Sequence, residues 1–594
     1  MQKKNLAGRC VALSLVSVMA LSSLTACGKK SKKSGDVIHF TMFTAMTGTE
    51  INDDNDIKKI IADKTGCDCK ETWLAGGSDA DAVNAMITGG TYTDFVNGGD
   101  AMKLLVDAGA LVAWDDYLDS GKYPNLKAMY TDAEWDKFRQ DDGHIYWANV
   151  FQNHKGESTD VIHNDEAFWV QVRVLEDANY PEIKTLDQYF DLLENYYAKN
   201  KKNEDGNDII PYTMLCEEWR YFCIENAPEF LDGYPNDGSV MVDFDRSKLD
   251  SGDADPKIRD YNTTETAKKY FKKLNEEYQK GIVDKEFGTQ TYDEYKQKLS
   301  IGQVLGMCDQ WWDFANDVNN ALKTSGLDQK GYNYVPLGLT LEEGQEQRWH
   351  TYGDTVNQSS GIAVTTACKD VDAAFKWMND LLDQEILDLR NWGVKDVDYK
   401  VYDKDTKDEF GEHKKGEFYR TEDMRMQLAD TEYQAKHMCP YGYFPQWGGT
   451  SDDGINACLP AEQVGEFKAS LAEPLLKCFD AYGANGYPDM IGSVGCKAAG
   501  YTDDQVEEMA YWFPMYSHSN NMTAETPGGE AWMQMGNCKH EWLPKVVVAS
   551  DFESEWEKYQ KEYKKCKPED FIAEMQEEVE KRYQKYLEVG KESK

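Results

Sequence analysis

The chain lacks the short motifs that mark the common enzyme classes. It has no HExxH, no GxSxG, no P-loop and no GxGxxG, so the usual zinc-protease, hydrolase and nucleotide-binding chemistries have no support here. It has no CxxC and no Cys/His cluster at zinc-ligand spacing. Positive charge is scarce: 65 Lys and Arg stand against 106 Asp and Glu, for a net charge of -41. No basic stretch lines a cleft. Such a field excludes a nucleic-acid partner and argues against anionic membranes and polyanionic substrates. Internal repeats and long low-complexity linkers are absent. Beyond the N-terminus, no apolar run approaches the ~20 residues a membrane-crossing helix needs.

The N-terminus carries the clearest signal. Lys3, Lys4 and Arg9 form a basic head, Val11 to Leu21 an apolar stretch, and Leu24-Thr25-Ala26-Cys27 a closing box before Gly28. This is the form of a secretory signal peptide. Its ending has the pattern of a bacterial lipoprotein signal, cut before the cysteine. The expectation is a signal over 1–26 and lipid on Cys27. A Lys/Ser-rich leash over 27–36 then holds the fold to the extracytoplasmic face of the cell membrane. Removal of three basic residues takes the net charge to near -44. Twelve cysteines remain besides Cys10 and Cys27. The compartment permits disulfides. Cys216 and Cys223 are close enough to pair locally, and buried free thiols are the alternative.

Hydrophobic residues make up 41% of the 594 positions, enough for two or more domains with real cores. Val37 to Met42 alternates as a strand, Ile57, Ile60 and Ile61 follow at helical spacing, and Thr72 to Leu74 reads as the next strand. Ala80 to Ile87 reads as a helix and Thr91 to Val96 as a strand. This alternation indicates βαβ units and an open sheet. The middle, Glu166 to Lys298, is helix-rich. Tyr212 to Leu215, Val304 to Cys308 and Ile362 to Thr366 read as short strands. Ala374, Trp377, Met378, Leu381, Leu382 and Ile386 mark an amphipathic helix. Two more helices are expected at the C-terminus, lined by Phe552, Trp556, Tyr559 and Tyr563, then by Ile572, Met575, Val579, Tyr583 and Tyr586, with a break at Pro568.

Several stretches resemble the sugar-type extracellular solute-binding lipoproteins of bacterial ABC transporters, in particular their large oligosaccharide-binding members. Ala85-Met-Ile-Thr-Gly-Gly-Thr-Tyr-Thr-Asp-Phe-Val96 looks like that family's helix, small-residue turn and strand, with Thr93 where proline is usual. Gly109 to Leu118, Asp142-Gly-His-Ile-Tyr-Trp147, Leu175 to Leu193, Tyr278 to Phe287, and Trp392-Gly393 with Asp398-Tyr399 resemble successive family segments. Order and spacing carry the likeness more than any one segment. It implies a periplasmic-binding-protein-like (type II) α/β fold, two lobes joined by a hinge with a ligand cleft between them. The expected division gives 37–155 and 300–370 to the first lobe. The second lobe takes 156–299 and 371–594, with an insertion at 400–500. It also implies ABC permease subunits as partners and a monomer.

Sugars present apolar C–H faces and rings of hydroxyls, so aromatics stack on them while carboxylates, amides and guanidiniums bond the hydroxyls. The chain holds 16 Trp and 35 Tyr. Asp309-Gln-Trp-Trp-Asp313 follows a strand at its C-terminal end. Adjacent Trp311 and Trp312 do not both bury easily on one face, so at least one is expected in the cleft with Asp313. Trp219 and Arg220 follow another strand and suit stacking and hydroxyl bonding. Trp349 and Tyr352 precede a strand, Trp447 sits between glycines on a loop, and Trp73 is placed to cap the early cleft. The resemblance adds Thr44, in the family's usual contact loop, and Asp100 in the Asn97-Gly98-Gly99-Asp100 turn offers another contact. No cofactor is required. Asn203, Asp205, Asn207 and Asp208 alternate as a calcium loop would, but the loop lacks the glycine and closing glutamate of the EF type, and a solvated turn is the simpler reading. The expected function is capture of a carbohydrate, an oligosaccharide, for a permease, without enzymatic chemistry. The alternatives are a peptide or other solute on the same scaffold, or a surface glycoside hydrolase.

Overall fold

The computed structural model describes residues 37–589 apart from 152, 156–160, 162–165, 235–239, 346–359, 409, 485 and 492–525. Cys27, Trp349 and Tyr352 lie outside the described residues.

Two separate sheets organise the molecule. In chain order their strands are β1 (Ile38–Thr44), β2 (Cys67–Trp73), β3 (Phe95–Asn97), β4 (Trp147–Ala148), β5 (Glu166–Gln171), β6 (Ile210–Thr213), β7 (Val304–Gln310), β8 (Tyr334–Leu337) and β9 (Ile362–Val364). The first sheet has the order β2-β1-β3-β9-β4 and the second β8-β5-β7-β6. In the first, β1 runs parallel to β2 and β3, while β9 runs antiparallel to β3 and β4. In the second, β5 is antiparallel to its neighbours β7 and β8, and β7 is parallel to β6. Strands such as Val304–Gln310 read as near-continuous apolar runs because helices cover both faces.

Each sheet has its own core. One cluster gathers Met42, Phe95, Trp147 and Ala363 with Trp377, Phe444 and Cys458. The other gathers Trp169, Tyr212, Met307 and Val335 with Phe467, Trp556, Val579 and Tyr586. This corrects the expected division in two places. Segment 304–337 supplies β7 and β8 to the second sheet, not the first. The chain from Ala374 to Cys458 packs on the first body, not the second. The described residues of 400–500 feed both cores.

The expected helix near 374–386 is two, Val371–Asp380 and Gln384–Asn391, yet all six of its apolar positions are buried. The C-terminal helices run Phe552–Tyr563 and Pro568–Val589. All eleven described cysteines are free, Cys216 and Cys223 among them.

The topology fixes which sheet edges meet. Ala148, at the end of β4, pairs with Ile362, at the start of β9. Glu166, at the start of β5, pairs with Gln310 at the end of β7, and Leu337 ends β8 opposite Phe168. The connections β4 to β5 and β8 to β9 therefore both join the C-terminal edge of the parallel strands in one sheet to the like edge of the other. Open α/β sheets carry their ligands at such edges.

Candidate functional site

On the second body, two strand ends build an aromatic platform. β7 finishes at Gln310 and turns directly into the helix Trp311–Ser325. β6 finishes at Thr213, and the chain reaches a short 3-10 turn, Glu218–Tyr221. Glu218 adopts φ of 51°, a conformation uncommon for residues other than glycine and found where surroundings enforce it. That turn brings Trp219 parallel to Trp312, with ring centroids 5.6 Å apart and an interplanar angle of 14°. Phe222 backs both rings, at 5.9 Å from each. Trp219 is 49% exposed and Trp312 44% exposed. Large aromatics are seldom left so open without use, and this pair forms a contiguous apolar face. The Trp312 indole N–H donates to the Gln310 side-chain oxygen, which fixes the ring's orientation.

The two adjacent tryptophans divide their roles. Trp311 turns inward onto Trp169, Phe314 and Tyr487, so it supports the platform instead of lining it.

Arg220 also departs from its expected role. It is buried, its Nε donates to Asp313 Oδ1 at 2.9 Å, and its guanidinium lies between Trp219 at 4.3 Å and Tyr292 at 3.8 Å. Burial works against its charge, yet Asp313 and Tyr292 hold its pKa above the ordinary value. Asp313, expected as a ligand contact, is buried and spent on this pair. Burial pushes its carboxyl up against the pull of Arg220. Deeper still, Asp309 accepts from Tyr295 at 2.6 Å and from the Cys223 thiol. Burial and then the nearby Asp313 charge drive its pKa well above the usual carboxylate range. The polar layer thus holds the platform from below. Phe222 and Tyr292 are the members that sequence reading missed; Gln310 lay within the Asp309–Asp313 motif but was given no role there. Nearness to the end of β6 could have flagged Phe222, whereas Tyr292 begins a separate helix, Tyr292–Ser300, and no local signal points to it.

The remaining expected residues scatter. Trp73 ends β2 on the first body, half-buried, with its indole nitrogen unpartnered. Thr44 ends β1 but is buried, its hydroxyl likewise without a partner, so it is no exposed contact. Asp100 is exposed in the turn Gly99–Ala101, where its N–H donates to Asp79 at 2.9 Å. Trp447 is a correction: it is 7% exposed and sits in the first core. Its flanking glycines serve close pairing, since Gly448 and Gly449 lie in register with His154 and Lys155.

In the Asn203–Asp208 turn, the Asn203 side-chain oxygen accepts from the Asn207 N–H at 2.9 Å and its amide donates to Ile301 at 3.1 Å. Asp208 pairs with Lys202 at 2.7 Å, and Asp205 is exposed. The turn is closed by its own partners, which does not fit a preformed calcium cage. Among the described residues, no three His, Cys, Asp or Glu side chains are grouped to hold a metal ion. A cavity of about 330 Å³ lies elsewhere, between His413, Glu417, Ile455 and Gly465. Its His413 is already paired with Asp408 and Glu417, and nothing links it to the platform.

No protein-family model matches the chain. It is 23% identical over 535 residues to the fructooligosaccharide ABC transporter substrate-binding protein FusA of Streptococcus pneumoniae serotype 4 (strain ATCC BAA-334 / TIGR4), across 84% of this chain and 82% of that one. The S. pneumoniae FusA structure in complex with kestose superposes with a TM-score of 0.57 at 17% identity, covering 93% of this chain and 100% of that chain. An HMO-binding, ABC-transporter-associated solute-binding protein from Bifidobacterium longum infantis ATCC 15697 gives 0.57 at 14% identity, covering 93% and 99%. Two α/β bodies linked at like sheet edges are the fold this chain shares with those solute-binding proteins. The sequence relative and the solved structures show a chain similar in sequence to a bacterial ABC-transporter substrate-binding protein and alike in fold to solute-binding proteins.

Proposed function

We propose that this chain captures an oligosaccharide outside the cell and delivers it to an ABC permease. The observation that carries this reading is the parallel, half-exposed Trp219–Trp312 pair at the sheet edge where the two bodies join. Flat apolar faces of that size suit the C–H faces of sugar rings. The work is differential affinity: a ligand touching both bodies only when they are closed shifts the population toward closure. No bond is made or broken. The carboxyls beneath the platform, Asp309 and Asp313, are buried and engaged by Tyr295 and Arg220 rather than presented to a substrate. The reading needs no cofactor. It includes a monomer tethered by lipid on Cys27, which the signal-like N-terminus supports. No described helix is long and apolar enough to cross a membrane.

A thermal-shift screen of the mature chain tests the reading. The panel contains kestose, maltotriose, xylotriose, cellotriose and a set of tripeptides. A bound sugar raises the melting temperature as its concentration exceeds the dissociation constant. A response confined to one of the oligosaccharides is expected. A response confined to the peptides would overturn the carbohydrate assignment, and sugar hydrolysis by the purified chain would overturn the assignment as a binding protein.

A further inference from the structure

Two cysteines far from the platform meet at the C-terminal helices. The helix Pro527–Val548 carries Cys538, and the short turn Lys564–Cys566, between the last two helices, carries Cys566. The Cys566 thiol donates to the Gln534 carbonyl at 3.4 Å. Gln534 lies one helical turn before Cys538, so its carbonyl is the acceptor that the Cys538 N–H takes in a regular α-helix. Cys566 therefore enters the helix surface directly beside Cys538, and the two thiols are hydrogen-bonded to each other. Cys538 is buried, whereas Cys566 is only partly covered. The remaining described cysteines are all buried. Cys223 and Cys308, for instance, spend their thiols on Asp309 and Glu166.

The two thiols differ in reactivity. Lys564, Lys565 and Lys567 flank Cys566, a setting that favours a thiolate. Burial raises the Cys566 thiol above its ordinary value, while the hydrogen bond from Cys538 and the Lys565 charge pull the other way. Burial pushes the Cys538 thiol up to about 12. Cys566 is thus the thiol that an oxidant meets first. The place matters for packing as well. Helix Pro527–Val548 packs against both Phe552–Tyr563 and Pro568–Val589. Its start is held by Glu574, which accepts from the Thr526 hydroxyl at 2.8 Å and the Gly528 N–H at 2.9 Å. Its end is held by Asn275, whose amide donates to the Val547 and Ala549 carbonyls at 2.9 and 2.7 Å. The two cysteines meet between these ties.

We propose that Cys538 and Cys566 are a disulfide-forming pair, oxidised outside the cell by a low-molecular-weight disulfide. The Cys566 thiolate attacks one sulfur of that reagent. A mixed disulfide forms, the reagent's own S–S bond breaks, and its other half leaves and takes up a proton. The Cys538 thiolate then attacks the Cys566 sulfur, forms the internal S–S bond and expels the second half as a thiol. The cysteines lose two electrons and two protons, and the reagent gains both. The sulfurs close to about 2.05 Å, and the turn bearing the exposed Lys564 and Lys565 is the part that moves. The bond closes the chain between Cys538 and Cys566 into a loop. That limits the unfolded chain and stabilises the packing of the last three helices. The inference stands apart from the carbohydrate reading and takes from it only the extracytoplasmic compartment, which permits disulfides.

The test equilibrates the mature chain with mixtures of reduced and oxidised glutathione. Samples are quenched in acid, alkylated with N-ethylmaleimide in denaturant, digested without reduction and mapped by mass spectrometry. A linked Cys538–Cys566 peptide should dominate at the oxidising end, with the melting temperature about 3–5 °C above that of the reduced chain. Cys566→Ser and Cys538→Ser should each abolish both the linked peptide and the shift. Cys566 is partly exposed, so Cys566→Ser keeps the test valid even if Cys538→Ser fails to fold. Recovery of both cysteines in alkylated form at the oxidising end would overturn the proposal. So would Cys566 carrying glutathione beside a free Cys538 thiol, or Cys566 linked to any other cysteine of this chain or of a second copy.

Discussion

Arg220 shows how a charged residue can hold an aromatic platform in place from beneath. Its guanidinium fills the space between Tyr292 and Trp219 and is neutralised by Asp313 at 2.9 Å. Removing one member of a buried pair leaves the other uncompensated. Arg220→Met is therefore expected to cost about 3 kcal/mol of stability, and adding Asp313→Asn should recover part of it. Unfolding curves of the single and double variants check this; equal losses in both would contradict it. Glu71 supplies a pH signature. Burial, opposed by Lys58, raises its carboxyl from 4.5 to about 7. The native state then binds the proton more tightly than the unfolded chain. Its stabilising contribution is full below pH 4.5 and is lost as pH rises through 7, on the order of 3 kcal/mol in all. Glu71→Gln should flatten that part of the profile, so at pH 8 it should melt above the unaltered chain. A variant that melts lower at pH 8 would contradict the sign. At this scale the tandem Trp311-Trp312 was legible, because two adjacent indoles cannot share one buried face. Arg220 was not, since nothing local announces that Asp313, 93 positions away, will claim it. Trp447 misled because glycine neighbours suggest a mobile loop, whereas here they permit close strand pairing.

Among elements, the connections matter most. Gly361 sits where the chain re-enters the first sheet against Ala148. Gly361→Ala must push a backbone carbonyl aside, an overpacking cost of about 1–3 kcal/mol. It is expected to lower the melting temperature and, by displacing Asn149 and Ser360, to weaken sugar affinity as well; an unchanged melt would show that the crossing is looser than drawn here. Some of the strands were legible from short apolar runs bounded by turns, whereas Glu166–Gln171 fell in a stretch read as helix-rich and Tyr334–Leu337 was not read as a strand. Val304 to Cys308 and Tyr212 to Leu215 were placed within a few residues of β7 and β6, and this is why the platform was found where strands end. The antiparallel entry of β5 beside β7 was not legible, because register between strands some 140 positions apart leaves no local trace.

For the whole molecule, the sequence spoke for two α/β bodies but not for where the chain changes sides. Segment 304–337 belongs to the second sheet and 374–458 to the first core. A reader of hydrophobic pattern sees equally good strands in either assignment, and only the pairing decides. The acidic balance of -41 keeps such a body soluble and repels polyanions, which agrees with a site built from ring faces instead of cations. All of this converges on the paired indoles at the junction of the two bodies. Calorimetric titration of Trp219→Ala combined with Trp312→Ala against the sugar that stabilises the unaltered chain tests that convergence. The account predicts affinity weakened about a hundredfold, two aromatic contacts at about tenfold each, with the melting temperature of the free protein preserved. Full affinity in the double variant would contradict it.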